Sequence, residues 1–341
     1  NNNHVKKAVV GFMKWRKLNL FMLLKYACNV HFSNFTNDYK NFEIRRTTMH
    51  DYIIRAATDS GSIRAFAAYT KETVEQARIY HKTSPTATAA MGRLLTAAAI
   101  MGTTLKGEDD IITLQTNGDG PIGRMIAVTD SKANVKCCVG NPNVDLPLNS
   151  EGKLDVGGAV GKHGFLTVIT DLGLKEPYIG KIPLVSGEIG DDLTQYFAVS
   201  EQIPSAVGLG VLVDTDLSVK TAGGFLIQVM PEASEEEIST LEKNIAAFSS
   251  VTAMLDEGKT IEEVLAAVMD GIEYHVTDKI PTRYYCNCSR ERVEKTLITI
   301  GKKELEDIMN TDGKAQLTCH FCDGVYDFSQ EDLQRIIDEI G

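Results

Sequence analysis

Four of the chain's seven cysteines fall within 37 positions near the C-terminus, as Cys286-Asn287-Cys288 and Cys319-His320-Phe321-Cys322 with 30 residues between the pairs. Two close thiol pairs bracketing a short helical insert are the pattern of a structural zinc site, in which four thiolates complete a tetrahedron at about 2.3 Å per Zn–S bond. Cys-x-x-Cys ahead of the turn Asp323-Gly324 suits a metal knuckle, whose backbone amides point at sulfur. Cys-x-Cys sets its sulfurs on an extended dipeptide, so chelation by both requires a local turn, and a disulfide between them would be strained and easily reduced. A plain dithiol pair without metal is the other reading. His320 could replace one thiolate, but four sulfurs are already present, and it reads as an exposed knuckle histidine.

The elements around these thiols offer little else to hold them. Val293, Leu297, Ile300, Leu305, Ile308, Leu317, Phe321, Tyr326, Phe328, Leu333, Ile336 and Ile337 make a thin core for residues 282–341, and modules of this size commonly need a staple. Structural zinc contributes an apparent ~10–16 kcal/mol, more than the whole stability of a typical domain. Metal removal is therefore expected to unfold the module.

Upstream, residues 232–281 carry twelve acids against Lys243, Lys259 and Lys279, a net charge of −9. Ser234 with Glu237 and Thr260 with Glu263 are capping boxes, predicting two helices. Ile238, Leu241, Ile245 and Phe248 mark an apolar face on the first, and Ile261, Val264, Leu265 and Val268 one on the second. Such a pair either packs permanently on its neighbour or, because its acids repel one another, folds only while both its ends are held.

Residues 49–231 interleave helices and strands. Strands are predicted over 51–57, 62–68, 111–116, 122–129, 134–139, 165–170, 178–185, 208–214 and 218–229, and helices over 72–81, 86–101 and 191–201. Several strands are joined as hairpins, which argues for an α+β fold rather than a doubly wound parallel sheet. Gly118-Asp119-Gly120-Pro121-Ile122-Gly123 matches G-x-G-x-x-G, but a dinucleotide site needs a helix after the glycines. Here the alternating Ile122–Val128 follows, and a hairpin turn is expected.

The net charge of −11 divides unevenly: +7 over residues 1–48 and −18 over the remainder. A body that acidic repels phosphates, which disfavours nucleic acid. The basic leader contains an apolar run, Leu18–Leu24, too short to span a bilayer and poorly matched to a cleavable signal. Residues 1–48 read as upstream or misassigned coding sequence, with Met49 as the natural start, and the protein as cytoplasmic with no membrane partner.

The two cysteine pairs, with the flanking Tyr285-Cys286-Asn287-Cys288-Ser289 and Tyr326-Asp327-Phe328, resemble the redox-regulated chaperones of the thirty-three-kilodalton heat-shock family. Ser84-Pro85 with Gly92-Arg93-Leu94-Leu95 resembles that family's N-terminal domain. So do the run from Ser186-Gly187-Glu188-Ile189 to Ser200-Glu201-Gln202-Ile203-Pro204, and Ala222-Gly223-Gly224 with Gln228. The resemblance extends from Met49 to Gly341 and leaves residues 1–48 without a counterpart. The vicinal Cys137-Cys138 departs from the family's switch and reads as a pair of small buried hydrophobes, with an accessory redox role as the other reading.

The resemblance implies a holdase, not an enzyme, organised as an α+β core domain (49–231), a helical linker (232–281) and a zinc-binding redox switch (282–341). It implies one Zn2+ per chain held by Cys286, Cys288, Cys319 and Cys322 in the reduced, inactive form. It further implies disulfides between the neighbours Cys286–Cys288 and Cys319–Cys322 on oxidation, metal release, linker unfolding and exposure of apolar surface. Client binding is then expected on Ile238, Leu241, Ile245, Phe248, Ile261, Val264, Leu265 and Val268, with unfolded proteins as partners and a homodimer as the assembly. A zinc-ribbon nucleic-acid module is disfavoured by eight basic against twelve acidic residues over 282–341. A thiol oxidoreductase is disfavoured because Cys-His-Phe-Cys lacks a surrounding βαβ pattern.

Overall fold

The computed structural model describes residues 50–340, so the expectations for residues 1–48 lie outside the described residues. The chain begins with the hairpin β1 (Tyr52–Ala57) and β2 (Ile63–Tyr69), then α1 (Lys71–His81) and α2 (Pro85–Gly102). Of the 18 residues of α2, 16 are buried. Its composition explains how: Pro85 at the first turn presets φ, and the small residues of Thr-Ala-Thr-Ala-Ala and Thr-Ala-Ala-Ala let backbone pack close on every side. Gly92 sits where a Cβ would come within 2.6 Å of Val74 and 2.9 Å of Val211.

Two sheets enclose this helix. The second contains β3 (Ile111–Asn117), β4 (Arg124–Asp130), β5 (Asn134–Val139), β6 (Phe165–Asp171) and β7 (Tyr178–Pro183). The short α3 (Val156–Val160) and the helix α4 (Ile189–Tyr196), which continues as a wider turn through Glu201, lead on to β8 (Ser205–Val213) and β9 (Val219–Val229). Strand order is β10-β1-β2-β9-β8 in the first sheet, where β10 is His275–Pro281, and β11-β5-β4-β3-β6-β7 in the second, where β11 is Arg283–Tyr284. All pairings are antiparallel except β11 with β5. Ile53, Phe66 and Leu226 of the first sheet and Leu114, Met125 and Val135 of the second join Leu94, Leu95 and Ile100 of α2 in one core. The α+β expectation agrees with this architecture.

Burial follows the sequence pattern. In β3 and β4 residues alternate between buried and partly exposed, because one face meets α2 and the other faces outward. In β2 the run Ala65–Ala68 is buried throughout, as a strand covered on both faces must be. The G-x-G-x-x-G segment is the hairpin turn between β3 and β4. Gly120 N–H donates to Val160 O at 3.0 Å and Ile122 N–H to Ala159 O at 3.0 Å, an approach so close that a side chain at Gly118 or Gly120 would strike the α3 backbone.

The outer face of the first sheet is covered by residues 232–272. Both capping boxes form, opening α5 (Glu235–Ala247) and α7 (Ile261–Val268). A third helix not expected from the sequence, α6 (Val251–Asp256), stands between them because the Ser250 hydroxyl accepts from Ala253 N–H at 3.0 Å and caps it. The end of this stretch is strand, not helix: Gly271, at φ +76°, turns the chain, and β10 adds to β1. Leu241, Val251, Leu255, Ile261, Val264, Leu265 and Val268 pack on Ile54, Ala56, Ile63, Ala65, Phe225 and Ile227 of the sheet.

The C-terminal module consists of α8 (Arg290–Ile300), α9 (Lys302–Asp312), the hairpin β12 (Ala315–Thr318) and β13 (Val325–Phe328), and α10 (Gln330–Ile340). Its fully buried core is Leu297, Leu305, Phe328, Leu333, Ile336 and Ile337. Ile300 is exposed, and Phe321 leaves this core to lie under Lys136 of β5. Among the described residues no helix is long and apolar enough to cross a membrane.

Candidate metal centre

The two thiol pairs are presented differently, one by the irregular segment after a strand and one by a backbone turn. Cys286 and Cys288 follow β11, which is fastened to the second sheet by the pairs Arg283↔Asn134 and Tyr284↔Val135 and by Tyr285 N–H donating to Val135 O at 2.8 Å. Cys319 and Cys322 lie on the connection between β12 and β13. There Asp323 N–H donates to Cys319 O at 2.9 Å and Cys319 N–H to Gly324 O at 2.9 Å, while Asp323 takes φ +56°. This is the knuckle expected from Cys-x-x-Cys before Asp-Gly.

The four Sγ atoms all lie within 4.8 Å of one another. Cys286 and Cys319 are 3.7 Å apart and Cys288 and Cys322 3.4 Å. A tetrahedron with bonds of about 2.3 Å has edges of about 3.8 Å, so the donor set fits a thiophilic metal ion. All four side chains are part-buried. His320 is exposed and is not in the cluster, as its knuckle position suggests.

The thiols are not equivalent. Burial works against the Cys288 thiolate, but the Tyr326 hydroxyl, donating to its sulfur at 3.0 Å, and the neighbouring thiols outweigh that and bring it down to about 7. Burial pushes Cys286 and Cys322 upward. A thiolate favoured near neutrality is both metal ligand and nucleophile. Cys137 and Cys138 lie elsewhere, on β5: Cys137 is buried, Cys138 half-buried, and burial raises both thiols. The buried-hydrophobe expectation fits Cys137, which joins the main core, and not Cys138, which is half-buried.

Tyr284 ties the centre to the body and is the residue that sequence reasoning passed over. Its hydroxyl lies against the carbonyl of Phe321 in the knuckle and that of Cys137 in β5 (3.1 Å), and accepts from Cys137 N–H at 3.3 Å. Its ring packs 5.3 Å from that of Tyr80. Lys136 Nζ donates to Asn287 Oδ1 at 2.7 Å and stands 4.8 Å over the Phe321 ring. The only available signal was Tyr284 preceding Cys-x-Cys, and nothing local distinguishes it from Tyr285.

Of the eight apolar positions expected to meet clients, Leu241, Ile261, Val264, Leu265 and Val268 are buried on the first sheet, and Ile245 and Phe248 pack at the edge of that cluster. Ile238 is half-buried and stands outside it. In this state the stripe is covered.

Residues 51–329 match the family model described as Hsp33 protein. The chain is 52% identical over 291 residues to the 33 kDa chaperonin of Ruminiclostridium cellulolyticum, covering 85% of this chain and 99% of that protein. It is 50% identical over 292 residues to the 33 kDa chaperonin of Clostridioides difficile, covering 86% of this chain and all of that one. The crystal structure of the 33 kDa chaperonin (heat shock protein 33 homolog) from Thermotoga maritima superposes with a TM-score of 0.79 at 40% identity, over 85% of this chain and 98% of that one.

Proposed function

The chain belongs to the Hsp33 protein family of chaperones, and on that premise we propose that it is a redox-regulated holdase whose switch is the four-thiol cluster. The observation that carries this reading is the meeting of Cys286, Cys288, Cys319 and Cys322 within 4.8 Å in a module that buries only six apolar side chains fully. On this reading residues 49–231 are the core domain, 232–281 the linker and 282–341 the switch. The protein has no catalytic turnover, works in the cytoplasm and assembles as a homodimer.

In the reduced protein the four thiolates hold one Zn2+, which supplies a covalent cross-link between the β11 end and the knuckle. Peroxide oxidises the thiols in pairs, Cys286 with Cys288 and Cys319 with Cys322. Each thiolate pair loses two electrons and forms one S–S bond, while the O–O bond of peroxide breaks and, with two protons from solvent, two waters result. Each disulfide removes two ligands from the cluster. Without the apparent ~10–16 kcal/mol that a structural ion contributes, the thin core no longer offsets its chain entropy. Release of the module frees β11 and then the linker, whose twelve acids repel one another. The apolar stripe on α5 and α7, and the sheet face beneath it, then become available to unfolding proteins. The body's negative charge keeps the opened form soluble.

Zinc quantitation beside light scattering of an aggregating client tests this reading. Reduced protein should hold one zinc per chain and suppress aggregation poorly; peroxide should release the metal and switch suppression on without ATP. Retention of zinc after oxidation, or an activation profile unchanged by Cys286→Ser with Cys288→Ser, would overturn it.

A further inference from the structure

Strand β10 is held to the first sheet differently from every other strand in it. It forms the edge beyond β1, in antiparallel register from Tyr52↔Pro281 to Ala57↔His275, with a bulge at Thr277. Six of its seven residues are exposed and Ile280 is half-buried. Ile280 packs at the edge of the main core, and the charged and imidazole side chains make surface contacts. Lys279 reaches Glu262 at 3.2 Å and lies 3.7 Å over the Tyr52 ring, Asp278 reaches Arg55 at 3.6 Å, and His275 Nδ1 is 2.9 Å from Asp59. Exposed pairs of this kind contribute ~0–1 kcal/mol each. What seats β10 is therefore the main-chain ladder, which any extended polypeptide can form, with the single apolar contact of Ile280.

The strand underneath is of another kind. β1 reads Tyr-Ile-Ile-Arg-Ala-Ala, with Ile53 and Ile54 on opposite faces and both fully buried. β10, with its charges and Pro281, is a self-limiting edge of the sort that blocks further pairing. β1 has no such protection of its own. In the chain, β10 lies between α7, which covers the sheet, and β11, which leads into Cys286. Both neighbours are elements that the switch proposed above releases.

We propose that in the oxidised protein β1 becomes a free sheet edge, and that an extended segment of an unfolded client adds to it as a strand in the place β10 vacates. This rests on the holdase reading and gives it a binding mode. β10 shows that the seat accepts a strand with one half-buried apolar side chain and six exposed ones, so partners need share little sequence. Withdrawal of α5–α7 leaves Ile54 and Ala56 on the open face of the same strand, where alternate apolar side chains of a client find contact while its backbone completes the ladder. A second copy of β1 could occupy the edge instead, and the experiment separates the two.

Hydrogen exchange read by mass spectrometry on the full chain, with reduced carboxymethylated lactalbumin as a permanently unfolded probe, tests the proposal. Amides of Tyr52–Ala57 and His275–Pro281 should exchange slowly in the reduced protein and quicken on oxidation. Added probe should slow the β1 amides again by at least tenfold and leave those of β10 fast. If β1 stays fast while the probe is bound, strand addition is wrong and the holdase reading stands; if oxidised protein binds no probe, it is the holdase reading that fails. If β1 stays slow on oxidation without probe, in proportion to protein concentration in sedimentation, a second copy holds the edge and the proposal is overturned. Asp278→Pro with Lys279→Pro supplies an arm independent of oxidation. Adjacent N–H groups point to opposite sides of a strand, so the pair removes one ladder donor without touching a thiol. The reduced, zinc-retaining variant should bind the probe several-fold better than reduced wild type, and binding unchanged from wild type would count against the proposal.

Discussion

The α2-centred body and the four-thiol module solve the same folding problem with opposite means. In the body, a helix with 16 buried residues is packed between two sheets, and the central strands β1, β2 and β9 of the first sheet are covered on both faces. At about 25 cal/mol per Å² of apolar surface removed from water, such layering supplies the dominant stabilising term by itself. In the module, α8 and α9 each contribute one fully buried side chain, Leu297 and Leu305, and α10 three. Phe328 and a rim of half-buried side chains complete its core, and ion pairs such as Arg335 with Glu294 at 2.6 Å and Arg290 with Asp332 at 2.8 Å lie at its surface, each worth ~0–1 kcal/mol. One region is stable by packing, while on the proposed reading the other is conditional on its thiols. A conditional region is the kind that a chemical signal can unfold without loss of the rest.

Metal removal breaks this comparison most forcefully. A thiophilic chelator applied to the reduced protein should abolish amide protection over residues 286–340, corresponding to an apparent ~10–16 kcal/mol of lost metal binding. The cooperative melting transition of α2 and the second sheet should persist. Calorimetry with exchange on the same sample checks both halves, and a body that melts together with the module would show that the two are not independent.

The body has a sensitivity of its own, to protons rather than to oxidant. The Asp51 carboxylate accepts from Glu72 N–H at 3.1 Å and Thr73 N–H at 2.6 Å, capping α1 from outside the helix. Burial, against those hydrogen bonds, raises it from 3.8 to about 6. Because the folded-state value is the higher one, the folded protein binds the proton more tightly. The resulting stabilisation is full below the unfolded pKa near 4 and is lost as pH rises to about 6. Relative to Asp51→Asn, wild type should therefore gain up to about 3 kcal/mol between pH 7 and pH 4, read from urea midpoints of the zinc-loaded protein. A difference that is flat with pH, or that runs the other way, would place the charge of Asp51 outside the body's energetics.

What could be read from the sequence divides along the same line as the stability. The four cysteines, both capping boxes, the small-residue run of α2 and the doubly buried β2 are local signals, each decided within a turn or a strand. β10 escaped because its partner is remote: Thr277 Oγ1 donates to Arg55 O across 222 positions, and a charged strand ending in Pro281 has the composition of a loop. The separate helix α6 rests on one hydroxyl, that of Ser250. Phe321 looks like core by type, yet the β5 edge draws it out under Lys136. Seams between regions are set by such long-range pairs, and sequence periodicity carries no information about them.

Tyr284 is where the comparison can be sharpened, since it belongs to both regions. Its hydroxyl serves the knuckle through Phe321 O and β5 through both backbone groups of Cys137, and burial raises its pKa, so it stays a neutral donor. Tyr284→Phe keeps the ring against Tyr80 and removes only the hydroxyl, leaving buried carbonyl and amide groups short of a partner. The expected cost is about 1 kcal/mol, a typical net value for one hydrogen-bond centre. If the module restrains the linker by docking on the body, that cost should appear as zinc release at several-fold lower peroxide, with the melting temperature of the body unchanged. Exchange at Cys137 N–H should quicken in the reduced variant before any thiol is oxidised. If instead the peroxide dependence is that of wild type while Cys137 exchanges faster, the seam is structural only, and the signal must pass from module to linker through the β10–β11 connection alone.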